Sequence, residues 1–162
     1  MKEIQGDLIH MAIAGDFDVI AHSCNCFNTM GSGIAGRIAK ELPEAMLADK
    51  KTKRGDASKL GTILPVEIER NSIKFIVVNA YGQYNYGTNK VNADYNAIRK
   101  CFMEVKKQFS GKRIGICKLG AGLAGGDWTI ISKIIEEEMV GEDLTLVLFN
   151  EQPKAPIYDF QS

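Results

Sequence analysis

Two short segments carry one pattern. Gly31-Ser32-Gly33-Ile34-Ala35-Gly36 and Gly120-Ala121-Gly122-Leu123-Ala124-Gly125 both read glycine, small, glycine, aliphatic, alanine, glycine. Glycines let a backbone turn sharply and bring its N–H groups against an anion, and a helix N-terminus behind them adds partial positive charge. Two such segments suit the two phosphates of a pyrophosphate, held from either side. Taken singly, each is equally a tight connection and no more. Each matches the G-x-G-x-x-G pattern of dinucleotide-binding folds, but the context fails. About 20 residues on, where that fold has an acid closing a strand, the first segment is followed by the charged Asp49-Lys50-Lys51. After the second, too little chain remains for the rest of such a fold. A Gly-Lys-Ser/Thr run is absent, which excludes a P-loop.

Acid–base chemistry has few carriers. Of the two histidines, His10 falls in an early helix-like stretch and reads as a surface or packing residue. His22 ends an apolar run just before Cys24-Asn25-Cys26. An imidazole neutral near physiological pH takes a proton from water or attacks phosphorus. An isolated histidine is also commonly structural. Lys118, just before the second glycine segment, is a phosphate partner or an ordinary surface lysine. Tyr81, Tyr84 and Tyr86 form an aromatic-polar loop that either rims a cleft or faces solvent. The four cysteines include Cys24 and Cys26, too close for easy pairing with each other, and neither a Cys-x-x-Cys nor a histidine cluster suggests zinc. They read as reduced thiols of a cytoplasmic, metal-independent protein.

The elements that position these residues are those of an α/β layered domain, with β-rich runs alternating with helical patterns. Strands are expected over Phe17–Ala21, Thr62–Val66, Ile73–Asn79, Arg113–Cys117 and Leu144–Phe149, with a weaker one over Lys2–Gln5. Several are apolar almost throughout, as strands covered on both faces are. Helical stripes run through Ile34, Ala35, Ile38, Ala39 and Leu42 up to a break at Pro43; through Val91, Tyr95, Ile98, Phe102, Val105 and Phe109; and through Trp128, Ile131, Ile135 and Met139. The charged segment Asp49–Lys59 reads as a solvated helix end and loop. The 162 residues suit one domain over 1–150 with an irregular tail over 151–162. Lys+Arg and Asp+Glu number 20 each, which argues against non-specific nucleic-acid binding. No apolar run approaches the roughly 18 residues of a membrane span, and the N-terminus lacks the apolar stretch of a signal peptide.

Taken together, Gly6-Asp7-Leu8, His22-Ser23-Cys24-Asn25-Cys26, Gly31-Ser32-Gly33-Ile34-Ala35 and Gly120-Ala121-Gly122-Leu123 resemble a macrodomain. Within that family the chain resembles the branch containing ADP-ribose 1″-phosphate phosphatases and ADP-ribosyl-glutamate hydrolases, from residue 2 to about 150. The resemblance implies a three-layer α/β/α sandwich around a mixed sheet, with ADP-ribose in a cleft at the strands' carboxyl ends. It implies that Asp7 accepts a hydrogen bond from the adenine 6-amino group, beside Leu8, although an aspartate there also suits a helix N-cap. It implies that Asn25 binds the distal ribose, although the same residue suits a turn. Both glycine segments, with Ser32, Ile34, Ala35, Ala121 and Leu123, become pyrophosphate contacts. Phe149 lies near the adenine or packs in the core.

In the phosphatases the residue matching His22 is implicated in turnover. The glutamate-ester hydrolases instead rely on a lysine and an aspartate, where this chain has Ala80-Tyr81-Gly82-Gln83 and Ala124. That departure puts the phosphatase reading ahead. Asp127 is the second catalytic candidate, orienting His22 or protonating a leaving group, unless it opens the helix at Trp128, where an acid suits the helix dipole. The expected activity is cleavage of ADP-ribose 1″-phosphate to ADP-ribose and phosphate, with no cofactor. The alternatives are hydrolysis of O-acetyl-ADP-ribose or protein ADP-ribosyl esters, a non-catalytic ADP-ribose reader and, behind them, a nicotinamide-dependent oxidoreductase.

Overall fold

A computed structural model describes residues 1–149; the tail expected over 151–162 lies outside the described residues. The strands are β1 (Lys2–Gly6), β2 (Val19–Ser23), β3 (Ile63–Arg70), β4 (Ile73–Ala80), β5 (Ile114–Ile116) and β6 (Leu144–Phe149). The helices are α1 (Leu8–Ile13), α2 (Gly33–Glu41), α3 (Pro43–Lys50), α4 (Tyr95–Phe109) and α5 (Trp128–Glu138). The strands form one sheet in the order β1-β6-β5-β2-β4-β3. All neighbours are parallel except the β3–β4 hairpin. Its two-residue turn puts Asn71 at φ 51° and Ser72 at φ 68°, the left-handed conformation that matches the twist of paired strands.

Each face of the sheet buries its own core. Val19, Ala21, Val78, Ile114 and Ile116 pack on Ile98, Phe102 and Val105 of α4 and Ile131 and Ile135 of α5. On the other face Ile20, Val77 and Val147 meet Leu8 and Ile9 of α1, Ile38 of α2 and Ala45 of α3. This is the expected three-layer α/β/α sandwich on a mixed sheet, and doubly covered central strands account for the apolar runs. A Cβ on Gly115 would come within 2.8 Å of Leu8 and 2.9 Å of Phe17, so glycine in β5 is what lets α1 lie close on the sheet.

Among the expected boundaries that move, two bear on the site. The strand expected to end at Ala21 continues to Ser23, because His22 and Ser23 pair in parallel register with Asn79 and Ala80 of β4. The stripe beginning at Val91 becomes helical only at Tyr95, where Asp94 caps α4 by accepting from Ala97 N–H at 3.0 Å. The N–H groups of Asn92 and Ala93 instead donate to Ala124 O, tying that approach segment to the second glycine segment and leaving Val91 exposed.

Candidate functional site

The carboxyl ends of β2, β5 and β6 open onto a cleft of about 980 Å³, the position where ligands bind open parallel sheets. One wall is the segment Gly31–Ala35, which runs directly into α2. Ser32 is the N-cap but its hydroxyl makes no capping bond. Among the described residues, the N–H groups of Gly33, Ile34 and Ala35 therefore have no partner; Gly36 N–H is the first to close on Ser32 O, at 3.1 Å.

The opposite wall is built differently. Lys118–Ala124 folds back on itself, with Ala121 N–H donating to Lys118 O, Gly125 N–H to Gly122 O and Gly126 N–H to Gly120 O. Among the described residues this leaves Gly122, Leu123 and Ala124 N–H unbonded. The helix behind it, α5, begins only at Trp128, with Gly126 and Asp127 between, so the first segment alone runs directly into its helix. Ala121 does not line the cleft; its methyl packs on the core. The walls meet where a Cβ on Gly33 would touch Leu123 Cδ1 at 3.9 Å.

At one end Asn25 lines the cleft with both ends of its amide engaged. Its Nδ2 donates to Thr29 O and Oγ1 at 3.0 and 2.9 Å, and its Oδ1 accepts from Phe27 N–H at 2.8 Å. The turn it closes rests on the segment expected to be solvated. Lys59, buried, donates to Asn28 Oδ1 at 2.8 Å and Thr52 Oγ1 at 2.9 Å, and Asn28 Nδ2 donates to Thr52 O. Asp49, also buried, accepts from the Tyr81 hydroxyl at 2.7 Å. Charged residues go inside here because each has a hydrogen-bonding partner there. Tyr81 is thereby a core residue, and burial pushes its hydroxyl far above the usual phenol range. Tyr84 packs edge-on against Phe27 and donates to Gly55 O, while Tyr86 lines the cleft with Lys118.

The two catalytic candidates are not in the cleft. His22 is wholly buried on the face of the sheet toward α3. Its Nε2–H donates to Asn79 Oδ1 at 2.6 Å, and Asn79 Nδ2 donates to Ala45 O at 3.0 Å, which fixes the amide orientation and hence the imidazole tautomer. Burial lowers its pKa to about 4, against a smaller raising effect of the Asn79 bond, so the ring is neutral. Alternation along β2 explains this placement: once the strand runs through Ser23, residue 22 points into a layer and not over the strand end. Asp127 is exposed and accepts from Thr129 N–H at 2.8 Å as the N-cap of α5, the structural role, and it does not line the cleft. The thiols at the cleft, Cys24 and Cys117, are held protonated by burial, with Cys117 pushed up to about 12. All four cysteines are free.

At the other end Leu8, Val147, Leu148 and Phe149 give an apolar floor. Asp7 is the N-cap of α1, with Oδ1 accepting from Ile9 and His10 N–H at 3.1 and 3.2 Å. Its Oδ2 accepts from Arg37 Nη2 at 2.7 Å. Burial opposes its ionisation, but the His10 N–H and the Arg37 guanidinium together hold the carboxyl below the usual range. Arg37 lies over the Phe149 ring at 5.0 Å and lines the cleft. Sequence reasoning missed Arg37, although its spacing of four from Gly33 on a helix puts the two on one face.

Among the described residues, no helix is long and apolar enough to cross a membrane, and no cluster of three or more potential metal-ligating residues occurs. Comparison with known proteins agrees with this architecture. The chain is 34% identical over 158 residues to a 17.5 kDa protein of the tk-vs intergenic region of Enterobacteria phage T4, covering 94% of this chain and 97% of that one. It is 26% identical over 144 residues to the ADP-ribose 1″-phosphate phosphatase of Candida albicans, covering 85% of this chain and 92% of that one. Its fold superposes on the macrodomain of Mycobacterium tuberculosis DarG with a TM-score of 0.69 at 20% identity, covering 94% of this chain and all of that one. The Macro domain family model matches residues 21–135, well over half the chain, and the protein belongs to that family.

Proposed function

We propose that the cleft binds ADP-ribose and that the protein removes the phosphate of ADP-ribose 1″-phosphate, giving ADP-ribose and inorganic phosphate. The observation that carries the binding reading is the pair of facing walls, each with backbone N–H groups that have no partner among the described residues, one wall for each phosphate. Asn25 stands at the distal ribose end, and Leu8 and Phe149 at the adenine end, with Asp7 held behind them by Arg37. Phosphate release is supported by the 26% identity to the Candida albicans phosphatase. In that step water adds to phosphorus, the bond from phosphorus to the C1″ oxygen breaks, and the departing oxygen takes a proton. Lys118 and the N–H groups favour the charge on the transferred phosphoryl group. His22 enters as a positioning residue that fixes the strand end from which the Asn25 turn hangs. Four free thiols fit a reducing, cytoplasmic compartment.

A second reading, binding without turnover, is favoured by one observation. Among the described residues lining the cleft there is neither a carboxylate nor an imidazole. Calorimetric titration with ADP-ribose and with AMP tests the site common to both readings. ADP-ribose is expected to bind one-to-one and at least roughly tenfold more tightly than AMP, which leaves one wall's donors without a phosphate. Equal affinity for the two, or no heat with ADP-ribose, contradicts the pyrophosphate assignment.

A further inference from the structure

We propose that Lys59 is a positioning residue for the distal end of the cleft: its buried ammonium anchors Asn28 and so presets the Asn25 turn (residues 25–29) that meets the ligand's second ribose. This rests on the ADP-ribose reading above and adds to it a residue that does not itself line the cleft. The turn has little freedom to adjust its ligand groups one by one. Both hydrogens of the Asn25 amide go to Thr29, one to O at 3.0 Å and one to Oγ1 at 2.9 Å, and Asn25 Oδ1 accepts from Phe27 N–H at 2.8 Å. What remains for a diol is the second lone pair of Asn25 Oδ1 and the Thr29 hydroxyl proton, one acceptor and one donor. Both residues line the cleft, and each is held by the other. The geometry of the turn is therefore the geometry of the contact.

The bend of that turn is Asn28, at φ 58°, a conformation that costs a non-glycine residue and that asparagine tolerates better than most. Its side chain bridges to another segment: Oδ1 accepts from Lys59 Nζ at 2.8 Å, and Nδ2 donates to Thr52 O at 2.7 Å. Lys59 ends a single 3₁₀ turn, Ala57–Lys59, capped by Asp56 through Ser58 N–H at 2.9 Å. Its ammonium also donates to Thr52 Oγ1 at 2.9 Å and lies 5.4 Å from the centre of the Tyr81 ring, whose hydroxyl donates to the Asp49 carboxylate. A lysine is rarely buried unless its charge is met, and two oxygens and a ring face meet this one. One cation thus ties residues 28, 52 and 81 together under a single turn. Gly55 N–H and Arg54 Nη1 hold Cys26 O and Phe27 O on the approach. Among the described residues, the Asn28 side chain at the bend is held by Lys59 and Thr52 alone.

The test is calorimetric titration of ADP-ribose and of ADP, which has both phosphates but no second ribose, into the wild type, Lys59→Met, Asn28→Gly and the double variant. The wild type is expected to bind ADP-ribose more tightly than ADP. Lys59→Met is expected to weaken ADP-ribose binding about tenfold, the worth of one hydrogen bond, and to leave ADP affinity within about twofold. Asn28→Gly adopts the left-handed conformation freely but gives Lys59 no acceptor, and is expected to show the same selective loss. The double variant is expected to lose no more than either single one, because both remove one contact. Thermal melting of the free variants establishes that they fold, and Asn28→Gly carries the test if Lys59→Met does not. The proposal falls if Asn28→Gly binds ADP-ribose like the wild type, since backbone conformation alone then suffices and the Lys59 bond is idle. It falls also if the variants lose ADP-ribose and ADP equally, as a residue needed only for stability would, or if the wild type binds the two alike. In each case ADP-ribose still binds the wild type and the reading above stands, whereas a wild type that binds neither nucleotide overturns both.

Discussion

The His22 imidazole is a buried base held neutral by its surroundings, and that has a consequence for stability. In the unfolded chain it titrates near 6.5, and in the fold near 4. Between those values the unfolded state holds more protons, so stability rises with pH across the window. The contribution is complete above pH 6.5 and is lost as pH falls through about 4, at a cost of about 3 kcal/mol. Urea denaturation at a series of pH values is expected to show this slope in the wild type and to show it much reduced in His22→Gln, which lacks the titrating ring. Equal slopes in the two proteins would contradict the assignment. The type of residue was legible in the sequence and its direction was not. A shift of two residues in a strand end leaves the spacing to Asn25 untouched but decides whether the ring meets ligand or core. Asp7 shows the converse, since an N-cap and a ligand-facing acid are both compatible with the sequence and Arg37 becomes its partner only through folding.

At the scale of elements, two glycine segments of one pattern do the same task by different means. The first opens a helix and offers its first-turn donors. The second closes into a self-bonded turn, which requires Gly126 as much as the glycines of the repeated pattern. A Cβ at Gly126 would stand 2.6 Å from Gly120 O and 2.8 Å from Ile131 Cδ1. The first of these atoms is backbone and has no rotamer to yield. Gly126→Ala is expected to destabilise the protein by about 1–3 kcal/mol in denaturant titration and to weaken ADP-ribose binding. A loss under about 0.5 kcal/mol with unchanged affinity would show that the turn does not depend on this approach. The repeat itself was plain in the sequence, as were the strand runs and the break at Pro43. The support under the Asn25 turn was not, because Asp49 and Lys59 carry the composition of a solvated loop. Their burial follows from partners brought in from Tyr81, Asn28 and Thr52, whose proximity no local pattern encodes.

At the scale of the molecule, the mixed sheet gathers residues from widely separated stretches of chain at the carboxyl ends of its parallel strands. The helices on its two faces bury separate cores against shared strands. The cleft between the glycine walls is apolar at one end, rich in backbone donors at its centre and framed by the Asn25 turn at the other. With equal numbers of acidic and basic residues, the chain has no net field to draw in an anion. On the proposed reading, recognition rests on oriented N–H groups inside the cleft. Phosphorus NMR of ADP-ribose 1″-phosphate titrated with the protein tests this most directly. The account predicts that both pyrophosphate signals shift on binding and that a free phosphate signal grows with time. Shifts without release would leave the binding site and remove the hydrolysis, and pyrophosphate signals that stay in place at excess protein would contradict the central claim.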